Sequence, residues 1–491
     1  MSTRLVFKDA FWQIAGRIAS AIGWFFVLQL MTPYLWPLRF GDYNTIYKYF
    51  VIRSALADFG LYVIALKEIS KHAPDQQAEY YSKFVSSRIV SVCLVFWVAL
   101  VIAYFVPWYR SNPYIARWLP LGALFSWVFM IAWIVQVPLQ LNRKMEQVSI
   151  ALVIARVVQV AALFCVIYFV PIWNSLISFV LVCMTIVISW LTQLCYVLYK
   201  SSAYLTLSYI VDRKFLINHF KTNRKYGIWY YVSSFHTYAS SILLSIYFPT
   251  IQNFVFVGLR ALSLSLVEIL LIIPSSIGNS MIHKVWNDHV EVKRRAFGYV
   301  GTLMLRFGLL VSTNFLFFGD NIIYLMWRTQ YLSEFVWWRW SDTLLPYMGI
   351  MILLSFLKQV HNYLFISTDH QNKLFGVNII WVVIWVIVWI YMIPRYSLIG
   401  WIVTQLVMEA IYFVGAVYIS YKNHIMLIRN QKITVVLVWI VILWWAIWYQ
   451  FINLWYADRK WFLMYASIFN IIVLWASALP LKHVFVWMWK S

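Results

Sequence analysis

Four arginines stand inside runs of apolar residues, where a charge is costly: Arg17, Arg53, Arg156 and Arg260. A cation near the centre of a bilayer costs at least ~2.5–3.5 kcal/mol on insertion scales, so such a residue faces a protein interior or a wet cavity and usually binds something. Its guanidinium is planar, stays charged when desolvated, and grips phosphate or carboxylate through two parallel hydrogen bonds. These four are therefore candidate contacts for an anion. Lys48, Arg306 and Lys358 also fall within apolar runs, but Lys48 and Lys358 lie nearer the ends, where a long stem lets the ammonium reach the interface, and Arg306 has the same escape.

Only Asp58, Glu268 and Glu409 can be placed as acids in the same runs, so one-to-one pairing still leaves a cationic surplus. Arg53 with Asp58 is the evident internal pair. Asp58 and Glu268 are also candidates for coupling to an ion gradient, as is His236, whose imidazole titrates near neutral pH; a single histidine in an aromatic run is more often a hydrogen-bonded packing group. Cys93, Cys165, Cys183 and Cys195 lie in apolar runs with no CxxC spacing and no nearby His, so they read as small core residues rather than disulfides or metal ligands. There is no P-loop, glycine-rich nucleotide fingerprint or HExxH pair, and no cofactor or metal is indicated.

The elements that hold these residues are membrane helices. Of 491 residues, 63% are hydrophobic and 11% charged, which excludes a water-soluble globule. The net charge of +22 reads as basic residues gathered in cytoplasmic loops rather than as a nucleic-acid surface. Arg17 inside the first apolar run, with no small-residue cleavage site after it, marks a retained helix and not a signal peptide.

Apolar runs and their polar breaks predict an all-α membrane protein of about fourteen transmembrane helices. They fall near 10–32, 43–66, 86–107, 114–138, 147–170, 173–198, 226–248, 252–276, 297–318, 343–367, 372–393, 397–420, 432–452 and 462–485. Pro33, Pro37, Pro107, Pro113, Pro171, Pro249 and Pro394 mark turns on the outer side. Lys and Arg are roughly three times as frequent in the inner connections as in the outer ones when both termini are cytoplasmic. The stretch 199–225, with Arg213, Lys214, Lys221, Arg224 and Lys225, is one of the two longest inner connections. Loop lengths then suggest an N-terminal lobe over 1–200, a second lobe over 201–425 and a terminal helix pair over 426–491.

Tryptophan is unusually common, 29 residues, and glycine scarce, 16 of 491, against a usual ~7% glycine. Membrane helices use glycine freely for close packing, so the deficit is physically odd. A source that reads UGA as glycine would explain it, and so would an AT-rich, aromatic-biased genome.

Short motifs give the chain a resemblance. The segment Tyr34-Leu-Trp-Pro-Leu-Arg-Phe-Gly41-Asp-Tyr43, followed by Ala57-Asp58-Phe59-Gly60-Leu61 and Lys67-Glu68-Ile69, looks like the opening of the polysaccharide flippases of the multidrug/oligosaccharidyl-lipid/polysaccharide exporter superfamily. Ile272-Ile273-Pro274 and the stretch Ile393-Pro394-Arg395-Tyr396-Ser397-Leu398-Ile399-Gly400 are similar to turns of that family. Trp36, Trp327 and Trp401 depart from it, standing where related sequences commonly have Gly or Ala.

The resemblance implies two six-helix lobes around a central cavity, alternately open to each side, with cationic residues contacting a lipid-linked sugar. Arg17, Arg53 and Arg260 fall on the helices that would line it. The expected activity is export of a lipid-linked anionic oligosaccharide across the cytoplasmic membrane, with no catalytic residues. The implied partners are that substrate, membrane lipids and other polysaccharide assembly proteins. A lipid-linked peptidoglycan precursor is an alternative cargo. A membrane-embedded glycosyltransferase or polymerase would need acids in a sizeable outer loop, and the longest, near 319–342, offers only Asp320, Glu334 and Asp342. A drug/cation antiporter would call for more cavity acids than cations, the reverse of what is present.

Overall fold

A computed structural model of the chain describes residues 3–58, 65, 69, 74–142, 144–170, 175–204, 212, 214–215, 217–218, 251–285, 290–327, 344–367 and 371–422. The described residues form helices α1 (Thr3–Asp58), α2 (Pro74–Phe105), α3 (Pro107–Ser111), α4 (Pro113–Val135), α5 (Val137–Leu141), α6 (Met145–Phe169), α7 (Leu176–Ser201), α8 (Ile251–Val285), α9 (Val290–Trp327), α10 (Leu345–Ser367) and α11 (Gln371–Lys422), with no strand among them. Eight helical stretches among the described residues are long and apolar enough to cross a membrane. In hydrocarbon every backbone polar group must be satisfied within the segment, and the helix does this. The predicted helices at 226–248, 432–452 and 462–485 lie outside the described residues.

Where a cap or a proline punctuates the sequence, the ends follow. Asn112 accepts from the backbone N–H groups of Tyr114 and Ile115 and Pro113 sits at the first position of α4, where a missing N–H costs nothing. Ser175 accepts from the Ser178 N–H at the start of α7.

Pro33 and Pro37 are expected to mark a turn between the first two helices, and they flank the kink at Trp36, whose φ of 61° and ψ of 162° leave the helical region and divide α1 into two helices. Pro394, by contrast, lies within α11 instead of between two helices. A proline removes one hydrogen bond and kinks the rod, and in membrane helices neighbouring groups re-satisfy the freed carbonyls.

The chain separates into two compact units, one of Phe7–Leu262 and one of Ser263–Ser491 with Met1–Val6. The break falls inside α8, whose first turns pack on α1. A Cβ at Gly258 would lie 1.9 Å from the Pro37 carbonyl oxygen, a closeness only glycine allows.

Within the first unit α4 and α6 both pack on α7, and α2 packs on α4. Two small residues let α1 approach α6: Gly16 faces Ser149 and Gly23 faces the Arg156 stem. Stacked rings join the C-terminal half of α1 to α4, from Tyr43 through Tyr47 and Phe125 to Phe129, each contact adding about 0.5–1.5 kcal/mol beyond area burial. The Trp118 indole N–H donates to the Tyr43 carbonyl at 3.0 Å.

Within the second unit α9 packs on α10 and α10 on α11. Gly308 meets Leu353 and Phe356, and Gly349 meets the Ser312 carbonyl, the small-residue closeness expected of helices that associate in lipid. Of the four cysteines Cys183 is buried, whereas Cys93, Cys165 and Cys195 are exposed and all four are free thiols. The core role expected of the cysteines therefore holds for Cys183 alone.

Candidate functional site

Arg156 is the best-defined of the four arginines. It projects from α6 with its stem against Gly23, its Nε donates to Ser20 Oγ at 3.3 Å, and its Nη1 donates to Gln159 Oε1 at 2.5 Å. The guanidinium carbon lies 5.0 Å from the Trp24 ring centroid and 5.7 Å from that of Trp190, within cation–π reach. No carboxylate among the described residues pairs with it. Two of its five N–H donors have side-chain acceptors, and the group remains half-buried.

Arg17 occupies the same face of α1 one turn before Ser20 and two before Trp24, since residues three and four apart stand above one another. It is half-buried and also lacks an acidic partner among the described residues. Arg53 is half-buried too, with its guanidinium carbon 4.6 Å from the Tyr49 ring centroid. Tyr49 in turn donates to the Ala99 carbonyl at 2.7 Å, which fixes that ring on α2. Arg260 is 1% exposed on the first turns of α8, next to the close approach at Gly258. The structure thus brings Arg17 and Arg156 to neighbouring faces of α1 and α6, while Arg53 stands on the far half of α1.

Asp58 does not pair with Arg53. Its carboxylate meets the guanidinium of Arg88, which is fully buried on α2. Arg88 is not among the cations read inside apolar runs because the run there is predicted to start near 86, whereas α2 begins twelve residues earlier at Pro74. Glu268 lies half-buried on the second unit's part of α8, and His236 lies outside the described residues.

Two lysines expected to reach the interface do not. Lys48 is only 3% exposed, with its ammonium 5.6 Å from the Tyr47 ring centroid. Lys358 forms an ion pair with Glu409 at 2.7 Å, α10 to α11. For Lys358 a partner distant in the chain overrides its position within the run, a relation that no local count displays. A second cluster missed from the sequence joins Arg39, Asp42 and Asn112: Arg39 bonds Asp42 at 3.0 Å, Asn112 donates to the other carboxylate oxygen at 2.9 Å, and the Arg39 guanidinium carbon stacks 3.4 Å from the Tyr114 ring centroid. Of the outer stretch near 319–342, residues 319–327 are the last turns of α9, and Glu334 and Asp342 lie outside the described residues.

Apolar helical spans with cations inside them are the architecture of a multi-pass membrane protein. Solved structures of membrane proteins share this fold. The inward closed conformation of the lipid II flippase MurJ matches with a TM-score of 0.68 and 12% identity over 98% of this chain and 100% of that one. An inward-facing multidrug resistance MATE family transporter of the MOP superfamily matches at 0.58 and 12% identity, over 86% of this chain and 99% of that one. A MATE in the bent conformation matches at 0.55 and 14% identity, over 86% and 98%. No curated protein matches the sequence. The profile of the polysaccharide biosynthesis protein family matches residues 6–286, more than half of the chain, and the protein belongs to that family.

Proposed function

We propose that the chain is an alternating-access flippase of the cytoplasmic membrane that translocates a lipid-linked anionic oligosaccharide, with both termini cytoplasmic. The observation that carries this reading is the set of cations in apolar spans without acids to answer them: Arg17, Arg53 and Arg156 pair with no carboxylate among the described residues. A diphosphate or a uronic acid supplies the missing negative charge and fits the guanidinium fork. The sugar head would pass through water while the lipid tail stays in hydrocarbon, so transport needs no covalent step. The family supports the polysaccharide branch of this reading. Arg260 is assigned to the same substrate, and Asp58, held by Arg88, is assigned to structure rather than to ion coupling.

Single replacement of Arg17, Arg53, Arg156 and Arg260 by Ala, with protein level held constant, is expected to reduce export of the glycolipid. Wild-type export by all four variants would remove the assignment. The cargo is decided by whether depletion of the protein accumulates the saccharide-bearing lipid or the peptidoglycan precursor on the inner leaflet. Sugar transfer by purified protein would replace the flippase reading with the glycosyltransferase one.

A further inference from the structure

The second unit contains a buried carboxylate that is only half answered. Glu409 on α11 is 5% exposed. One of its oxygens, Oε1, accepts from Lys358 Nζ of α10 at 2.7 Å. The other, Oε2, is buried and accepts no hydrogen bond. The ammonium is held further by rings, 5.2 Å from the Tyr412 centroid and 5.7 Å from the Trp381 centroid.

Of the other polar groups near the pair, the amide Nε2 of Gln405, one turn before Glu409, is buried and donates no hydrogen bond, while the following are committed. Tyr412, three residues past Glu409, donates its hydroxyl to Asn362 Oδ1. His361, three residues past Lys358, has Nδ1 2.8 Å from the Leu357 carbonyl and lies between Phe365 and Phe413. The Trp381 indole N–H donates to the Met408 carbonyl at 2.6 Å. On α9, which packs on α10, Phe307 meets Phe356, and the adjacent charged residue is the half-buried Arg306.

Burying an ion pair costs several kcal/mol per ion, recovered only when the remaining lone pairs are also satisfied. Here one carboxylate oxygen is left over, and a buried acceptor without a partner bears its full desolvation penalty, larger still when charged. A sodium ion would need a ring of oxygens, yet beside Oε2 stands an ammonium that repels it. A proton needs a single oxygen.

We propose that Glu409 is a proton-binding site, protonated at Oε2, and that its protonation releases Lys358 from the pair. The proton comes from water, Lys358 keeps its own proton, and no electrons move. The site passes from a neutral pair to a single positive charge, so the freed ammonium recruits an anion, which links proton uptake to anion binding. This role in transport rests on the flippase reading above, and it gives the coupling function to a residue pair on α10 and α11 rather than to Asp58, Glu268 or His236.

Difference infrared spectra of the full chain in lipid nanodiscs, taken between mildly acidic and mildly alkaline buffer, read the protonation directly. The wild type is expected to show a carboxylic-acid carbonyl band on acidification that is lost in E409Q and in the paired variant K358M/E409M, which replaces the ion pair by apolar groups and preserves packing. The band is expected to ignore sodium at constant pH. In cells, K358M/E409M is expected to reach the wild-type protein level and to lose export. An undiminished band in E409Q, a band that follows sodium, or wild-type export by the paired variant would each overturn the proposal. The infrared arm is independent of transport: a missing band in E409Q with no export by the wild type would fault the flippase reading alone, and a persisting band would fault the proton site alone.

Discussion

The carboxylate of Asp58, at the end of α1, is paired with the guanidinium of Arg88 on α2, and both are shut away from solvent. Removing one partner leaves a bare buried charge, whereas removing both leaves an apolar contact. R88M is expected to lower stability by about 3–5 kcal/mol, and D58L/R88M to recover most of it. Thermal unfolding in detergent, single variants against the double, measures the difference.

Glycine has opposite value at two places. At Gly258 an added Cβ lies 1.9 Å from the Pro37 carbonyl, while at Gly376 nothing stands within 4 Å. G258A is expected to cost at least about 1–3 kcal/mol through overpacking and to reduce the amount of folded protein. G376A should be neutral or gain about 0.5–1 kcal/mol, because alanine loses less entropy in a helix. Fluorescence-detected gel filtration of the two variants separates these outcomes.

At Arg156 the shape of the side chain is expected to matter besides its charge. Its Nε and Nη1 reach Ser20 and Gln159 in different directions, a fork that an ammonium lacks. R156K is expected to retain the positive charge yet lower export about tenfold, the loss of one charge-assisted hydrogen bond of about 1.5–3 kcal/mol. Export equal to wild type in R156K would show that the guanidinium geometry is unimportant.

Trp36 is the sole non-glycine residue with positive φ among the described residues, and its φ of 61° and ψ of 162° fall in a region that is essentially glycine's. W36G is expected to stabilise the protein by about 1–3 kcal/mol. Tandem mass spectrometry of the protein isolated from its own source is expected to read glycine at this position, and tryptophan there would favour the aromatic-biased genome.

The spacing of apolar runs was enough to find α2, α4, α6, α7 and α10 to within a turn or three, because a period set by the bilayer thickness is written locally. The prolines at 33 and 37 likewise located the kink at Trp36 that divides α1, but not the continuation of α11 through Pro394, since the groups that stabilise a kinked helix come from its neighbours. Arg156 was singled out by its type and surroundings, but Ser20, 136 residues away, had no signal in the letters. Lys358 looked like an end-of-helix cation because Glu409, 51 residues further on, is visible only once α10 and α11 pack. Long-range pairing is the part of the site that a one-dimensional reading of charge leaves out.

The left-handed backbone at residue 36 also reaches the bench. Each indole that a ribosome replaces by a hydrogen atom disappears from the near-ultraviolet absorbance, so two ways of weighing the same purified sample, by light and by amino-acid hydrolysis, would disagree. The size of that disagreement would count how many tryptophans of the sequence, Trp36 among them, are glycine in the protein as its source makes it.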